Sequence, residues 1–277
     1  MGVKPAPMVA SFSSRGPNLL DPAILKPDVT APGVNIIAAY SEGISPTGLE
    51  SDKRITPYMA LSGTSMACPH VAGLVGLLKS LHPNWSPAAI KSAIITSATT
   101  KDHSKRNIRT SLLKESTPFD IGAGHIRPNR AAAPGLVYDL NTTDYLNYLC
   151  GRGYDSSQLQ LFYNKPYTCP KPFSLADFNY PTITIPRIEP GKSVNVSRTV
   201  TNVGSPSVYR VRIEAPPKVV VSVKPRKLRF KKKGEKKEFR VSMTLSPQAT
   251  NITGFAYGLL TWTDHKHRVR SPIVVNF

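Results

Sequence analysis

The sequence predicts an α/β portion followed by an all-β sandwich, and three observations carry that reading. The apolar run Val71, Ala72, Leu74, Val75, Leu77, Leu78 continues through Lys79-Ser80-Leu81 until His82-Pro83 stops it, which is long for a buried strand and right for a buried helix. Short apolar stretches broken by Pro and Gly precede it, in the continuous style of a parallel sheet covered on both faces. From Asn179 onward the hydrophobic period changes to two. The 277 residues leave room for two domains. Charge divides them as well: 17 basic and 11 acidic residues lie up to Leu175, against 19 and 6 from Ala176. The expected domains are therefore 1–175 and 176–277.

Taken in order, Pro7–Phe12 reads as a strand, and Asp28–Ala31 and Val34–Ala39 as short strands around an Ala31-Pro32-Gly33 turn. Residues 41–57 are a polar surface loop leading into Tyr58–Leu61. The central helix starts near Ser65, with Pro69 in its first turn, where a missing N–H costs nothing. Ser86-Pro87 opens a second helix, Ser86 as the N-cap and Pro87 as first helical residue, with Ile90, Ala93 and Ile94 on one face. Residues 101–117 are charged and poor in apolar residues, a mobile loop. Thr143–Leu149 is a short helix.

The alternating set that follows is Val194 and Val196; Tyr209, Val211 and Ile213; Val219, Val221 and Val223; Phe239, Val241, Met243 and Leu245; then Trp262, and Ile273, Val275 and Phe277. Short strands at this spacing argue for a β-sandwich. Within them, Lys224–Arg240 holds ten basic residues against Glu235 and Glu238. Leu228 and Phe230 alternate inward, so the stretch reads as strand, Lys-Lys-Gly turn near Gly234, and strand. A solvated hairpin that discourages edge pairing is the plain interpretation. A binding patch for an acidic polysaccharide or membrane surface is the alternative. The stretch lacks interleaved aromatics and any nucleic-acid module pattern, so nucleic acid is not expected as a partner.

Composition excludes other classes. A mean hydropathy of −0.21 with 40% hydrophobic residues describes a soluble globular chain. No apolar run approaches a membrane span. Met1–Pro5 has no apolar signal-peptide core, and Ala6 breaks the myristoylation pattern. No metal-ligand cluster or phosphate loop is visible.

Of three cysteines, Cys68 follows the central serine on the helix and reads as a small core residue. Cys150 and Cys169 are close in sequence and flanked by turn residues, which favours a disulfide over two free thiols. Asn141-Thr142-Thr143, Asn195-Val196-Ser197 and Asn251-Ile252-Thr253 are glycosylation sequons, whereas Asn84-Trp85-Ser86 opens a helix and is doubtful. Together these point to a secretory product.

The chemistry centres on Ser62-Gly63-Thr64-Ser65. A serine at a helix N-terminus has free backbone N–H groups and a positive dipole end beside it, both suited to an oxyanion. The plain alternative is an N-cap. The words of the motif decide between them: Gly63-Thr64-Ser65-Met66-Ala67-x-Pro69-His70-Val71-Ala72-Gly73 resembles the nucleophile segment of the subtilisin-like serine proteases. Val9–Asn18, with Ser13-Ser14-Arg15-Gly16-Pro17, and Leu25–Ile36 look like the segments upstream of it. Phe119–Ala132, with Gly122-Ala123-Gly124-His125, looks like the one downstream, and the whole is similar to plant subtilases in particular.

The resemblance implies a partial subtilisin-like three-layer parallel-sheet domain and then a fibronectin-III-like β-sandwich. It further implies a serine endopeptidase acting through an acyl-enzyme on Ser65, secreted to the apoplast or cell wall, with protein or peptide substrates and no cofactor. Thr64 and the Ser65 N–H would support the oxyanion. Met66 would be oxidation-sensitive as well as packed.

The same resemblance exposes a gap. In the family the triad aspartate and histidine lie well upstream of the serine. The 64 residues before Ser65 contain no histidine, and Asp21, Asp28, Glu42, Glu50 and Asp52 lie outside the family's aspartate motif. The oxyanion asparagine segment is missing too, Asn18 and Asn35 belonging to other segments. The triad His and Asp are thus absent from this chain, which starts where the family's inserted protease-associated domain has just ended. A serine, aspartate, histidine order rebuilt from Asp120 and His125 would be that of an α/β-hydrolase, but Ala67 breaks the Gly-x-Ser-x-Gly elbow. His70, on the helix, is expected to point into the core. Two functions follow: a serine endopeptidase of which this is a part, or a non-catalytic product whose basic sandwich domain is a binding module.

Overall fold

A computed structural model describes residues 5–170, 174–249 and 253–277. Before the central helix lie β1 (Met8–Val9), β2 (Ile36–Ala39) and β3 (Tyr58–Leu61). Then come α1 (Thr64–Leu81), α2 (Pro87–Ser97), β4 (Arg109–Thr110), α3 (Pro118–Ile121), α4 (Pro128–Ala131), β5 (Leu136–Val137), α5 (Thr142–Gly151) and α6 (Ser156–Leu159). The remaining strands are β6 (Ile183–Ile185), β7 (Ser193–Asn202), β8 (Ser207–Glu214), β9 (Val219–Lys224), β10 (Lys227–Phe230), β11 (Lys236–Leu245), β12 (Phe255–Thr263) and β13 (Arg268–Asn276).

The first part departs from the expected parallel sheet. Its described strands pair only two by two, β1 with β4 in parallel and β2 with β3 antiparallel. The β2–β3 hairpin is mostly exposed, with Ile37 at 75%. Asp28–Ala31 is extended and forms one bridge, from Thr30 to His125. A continuous apolar run forms a covered sheet only when neighbouring strands and helices lie against both faces, and among the described residues none does.

For the same reason α1 is not the buried helix expected. Its apolar residues surround the whole helix, but only Leu74 and Leu78 are fully buried, while Leu77 and Leu81 stay about half exposed. Its buried side is covered chiefly by α2, whose Ala89, Ile90, Ala93 and Ile94 share a cluster with Leu74 and Leu78 that Ile126, Ala131 and Val137 complete.

The α2 helix itself starts as the sequence directs. Ser86 Oγ accepts from the Ala89 N–H at 2.9 Å, and Pro87 takes the first helical position. The 101–117 segment, expected to be a mobile loop, is tied down by bridges Lys101–Asn107 and Arg109–Glu115 and by buried Ile108.

From Ile183 the chain, joined by β5 from the first part, forms two facing sheets. One has the order β10-β8-β12-β13-β6 and the other β5-β7-β11-β9. All pairings are antiparallel except β13 with β6. The inward positions are those the alternation marks, and Tyr209, Val241, Met243, Leu245, Trp262, Ile273 and Val275 share one core. Leu136 and Tyr138, which precede the Ala176 boundary, lie in that same core. β10 and β11 do not form the expected hairpin. β10 pairs with β8 and β11 with β7 and β9, so the lysine-rich connection crosses from one sheet to the other.

The two parts are stapled together. Tyr138 donates its N–H to Ser92 Oγ at 2.9 Å, and its hydroxyl is 2.8 Å from Ser271 Oγ. The Tyr180 hydroxyl bonds the carboxylate of Asp28 across the same border, while the Tyr148 hydroxyl bonds that of Asp21 within the first part.

Candidate active site

The turn that presents Ser65 is built by two glycines. The Gly63 N–H donates to the Gly33 carbonyl at 2.8 Å, and a Cβ placed on Gly33 would meet the Gly63 carbonyl oxygen at 2.8 Å, too close for any side chain. Ser62 Oγ accepts from the Asn35 N–H at 2.8 Å, and Asn35 itself adopts a left-handed φ of 51°. The 33–35 turn therefore fixes the end of β3 and the entry to α1.

Gly63 is the N-cap, so Thr64 and Ser65 are the first two helical residues. Ser65 is thus not the cap. The Met66 and Ala67 N–H groups both reach the Gly63 carbonyl, at 3.0 and 3.4 Å. The Thr64 and Ser65 N–H groups have no acceptor among the described residues, and no side chain caps this end. Two free donors and a positive helix end thus stand beside the Ser65 hydroxyl. The arrangement can accept a developing negative charge.

Pro69 is the sixth helical residue and lies beyond the first turn where it was expected. Lacking an N–H, it leaves the Ser65 carbonyl without its helical donor.

Among the described residues no base is in place beside Ser65. The Ser65 hydroxyl makes no hydrogen bond among the described residues. His70 does not point into the core as expected. It is exposed, with Nδ1 2.8 Å from the Met66 carbonyl one turn back. It shares a stripe with Leu74 and Leu78, but the cover given by α2 reaches only as far as Val71. Cys68 is likewise an exposed free thiol and not a core residue.

The downstream candidates are engaged elsewhere. Asp120 accepts from the Thr117 N–H at 2.7 Å and pairs with Arg15 Nε at 2.9 Å. His125 is part-buried, its Nδ1 3.2 Å from the Ile126 carbonyl. Burial holds its pKa below the ordinary histidine value, the Ile126 carbonyl opposing. Among the described residues no hydrogen bond or ion pair joins either one to Ser65. Among the described residues no group of His, Cys, Asp or Glu could hold a metal ion.

Cys150, in the last turn of α5, is bonded to Cys169. Asn141 caps α5 and is exposed, and Asn195 is exposed on β7. Asn251 lies outside the described residues, as do Met1–Lys4. Two contributors escaped sequence reasoning. The roles of Gly33 and Asn35 show only when the 33–35 turn meets Gly63, although an Ala-Pro-Gly turn was a visible signal. Arg268 and Arg270, alternating on one face of β13, stand outside the dense lysine run and carry no local signal of their own.

Residues 1–124 match the model of the subtilase family, and residues 177–275 that of the fibronectin type-III domain. Over 276 residues the chain is 54% identical to subtilisin-like protease SBT5.4 of Arabidopsis thaliana, covering 99% of this chain and 35% of that protein. It is 52% identical to subtilisin-like protease SBT5.3 of the same plant, covering 99% and 36%. The CO(2)-response secreted protease of Arabidopsis thaliana is 44% identical, covering 98% and 36%. The chain thus spans about a third of the length of these curated relatives. Among solved structures, the PapD-like domain 7 of human CEP192 aligns with 40% of this chain and 93% of its own at a TM-score of 0.26 and 16% identity.

Proposed function

Because this chain belongs to the subtilase family over its first 124 residues and carries a fibronectin type-III domain after them, we propose that it is part of a serine endopeptidase with Ser65 as the nucleophile. The observation that carries the proposal is the pair of unpartnered N–H donors, Thr64 and Ser65, beside an exposed serine at the start of α1. The Ser65 oxygen attacks the scissile carbonyl, and the two donors hold the resulting oxyanion. A base and its orienting carboxylate are required to take the serine proton. The residues in hand supply neither, so catalysis needs segments beyond them.

The exposed apolar faces of α1 and of the β2–β3 hairpin are where such segments would pack to complete a three-layer parallel sheet. The reading extends to the setting: protein or peptide substrates, an extracellular location in the apoplast or cell wall, and glycans at Asn141 and Asn195. The domain limits 1–175 and 176–277 belong to it too, with Leu136–Tyr138 as a strap from the first part into the second.

A fluorophosphonate probe tests it. The 277-residue chain should remain unlabelled, and a longer natural polypeptide that includes upstream segments should be labelled on the peptide containing Ser65. Labelling of a different serine in the longer protein would overturn the assignment. Stoichiometric labelling of the 277-residue chain, abolished by Ser65→Ala, would show that no upstream base is needed.

A second reading, a non-catalytic binding module, draws on the basic sandwich. The acidic polysaccharide considered for Lys224–Arg240 belongs here, and the crossing of that run between sheets changes which of its residues can act together.

A further inference from the structure

The outer face of the five-stranded sheet is covered at one end and bare at the other. At the covered end, Val274 and Tyr257 lie under Leu25 and Phe119, with Phe119 meeting the Tyr257 and Phe255 rings edge-on. In the middle, the Arg270 guanidinium donates to the carbonyls of Ala98 at 2.7 Å and Ala123 at 3.3 Å, and to Thr100 Oγ1 at 3.3 Å. It thereby caps the C-terminus of α2. Beyond it, Arg268, Arg210 and Lys227 are exposed.

A cleft of about 330 Å³ opens at this border, lined by Lys101, Arg127, Arg130, Lys266, Arg268 and Arg270 and by no aspartate or glutamate. None of these six cations is in an ion pair among the described residues. Arg270 has its capping role and Arg130 donates to the Lys266 carbonyl at 3.2 Å. Arg127 and Arg268 make no side-chain hydrogen bond among the described residues. They crowd Arg270 closely enough to add to the effect of burial in lowering its pKa, which Glu214 opposes. Asp264, the acid on the turn just before β13, is occupied: it accepts from the His267 N–H at 2.7 Å and from Ser207 Oγ at 2.9 Å.

The cleft is continuous with a cross-strand row. Arg268 stands opposite Thr263, Thr263 opposite Arg210, and Arg210 opposite Lys227. With strands spaced by about 4.8 Å, the row runs roughly 14 Å from the cleft to β10. A second row, Arg270, Thr261, Arg212, lies beside it on the same face. Unpaired arginines presented as fixed forks suit carboxylates, which they bind bidentately. The side chains between them are threonine hydroxyls, with no aromatic on which a base could stack.

We propose that the cleft and this row bind a polysaccharide bearing carboxylates, one carboxylate lodging between Arg127 and Arg268 and later ones following Arg210 and Lys227. Ser65 does not line this cleft.

The test uses the full 277-residue chain and an oligogalacturonate as probe, with binding read by calorimetry. An Arg127→Ser/Arg268→Ser variant should lose about a hundredfold in affinity, since each of the two lost charge-assisted bonds is worth roughly a tenfold factor. Its thermal midpoint should be unchanged, because Arg270 is left in place. A Lys231→Ser/Lys232→Ser/Lys233→Ser variant removes more charge away from the cleft and should lose less than about threefold, long-range attraction being screened. An Arg127→Lys/Arg268→Lys variant keeps the charge and loses the forks, so its affinity should fall between these two. An equal or larger loss in the triple-lysine variant, or no binding of the oligogalacturonate at all, would overturn the proposal. So would single-stranded DNA of matched charge binding more tightly with the same dependence on Arg127 and Arg268, which would make the face a nucleic-acid surface.

Discussion

His125 shows how much one residue joins. Its backbone bridges both Thr30 and Thr99, linking three segments of the first part, and this leaves its ring part-buried. Burial favours the neutral ring, so its folded-state pKa lies below the unfolded value near 6.5. The unfolded chain then binds more protons, and stability rises with pH through that region. The contribution should be complete above about pH 6.5 and be lost as pH falls. Urea midpoints measured from pH 7.5 to 5.5 should decline, and His125→Gln should flatten that part of the profile; an unchanged slope would refute it.

Arg198 is the second such residue. It is buried, and its guanidinium donates to the carbonyls of Ala176 at 2.6 Å, Ser197 at 2.8 Å and Tyr180 at 3.1 Å. Burial lowers its pKa to about 10. Arg198→Ala strips several buried carbonyls of their donor at once. It should cost about 3 kcal/mol or more in urea unfolding.

At the scale of elements, the α5–α6 region depends on covalent support. Its only residues fully buried among those from Asn141 to Pro170 are Leu146 and Leu159, so packing contributes little and the Cys150–Cys169 bond, with a separation of 19 residues, closes the loop. Loop-closure arithmetic gives about 3 kcal/mol for a loop of this size. A Cys150→Ser/Cys169→Ser variant should lose about that much stability and become sensitive to proteolysis between these positions. Equal stability of the two forms would show that the loop is held by its side chains alone.

The α1 helix presents the opposite case, an element with more apolar surface than the chain covers. Val75, Leu77 and Leu81 are 38%, 49% and 53% exposed. Surface of this kind marks an interaction face. The chain should bind a hydrophobic dye, and Leu77→Lys with Leu81→Lys should reduce the signal without altering the Ser86 cap or α2.

On the whole-molecule scale, the sandwich is the stable body and the first part leans on it. Its core is continuous across both sheets, and it recruits Leu136 and Tyr138 from the first part. A fragment of residues 177–277 should fold alone, with β-type circular dichroism and Trp262 emission typical of a buried indole. A random-coil spectrum would contradict this. A fragment starting before Leu136 should be more stable, because β5 then covers the edge of β7.

The alternating sandwich strands were legible because a half-buried strand writes its burial into the sequence as alternation: Phe239, Val241, Met243 and Leu245 are all buried, as the period requires, whereas β6 and Ser271–Val275 of β13 are buried on both faces. Ser86 and Pro87 were legible because a helix cap is satisfied within a few residues. The family resemblance of the segment around Ser65 was recognisable from its own words, and residues 1–124 match that family's model.

Pairing was not legible, because it is decided between distant segments. Nothing local distinguishes a β10–β11 hairpin from a crossing between sheets, and nothing in Val71–Leu81 reveals how much of the helix will find a partner. The basic cleft is the clearest instance: Lys101, Arg127 and Arg268 come from three separate segments, each unremarkable in sequence. The sequence by itself determined the serine, its helix and the alternating strands, since those depend on neighbours in the chain. Only the tertiary structure decided which apolar faces stay uncovered and which cations converge, since burial and electrostatic fields are set by neighbours in space.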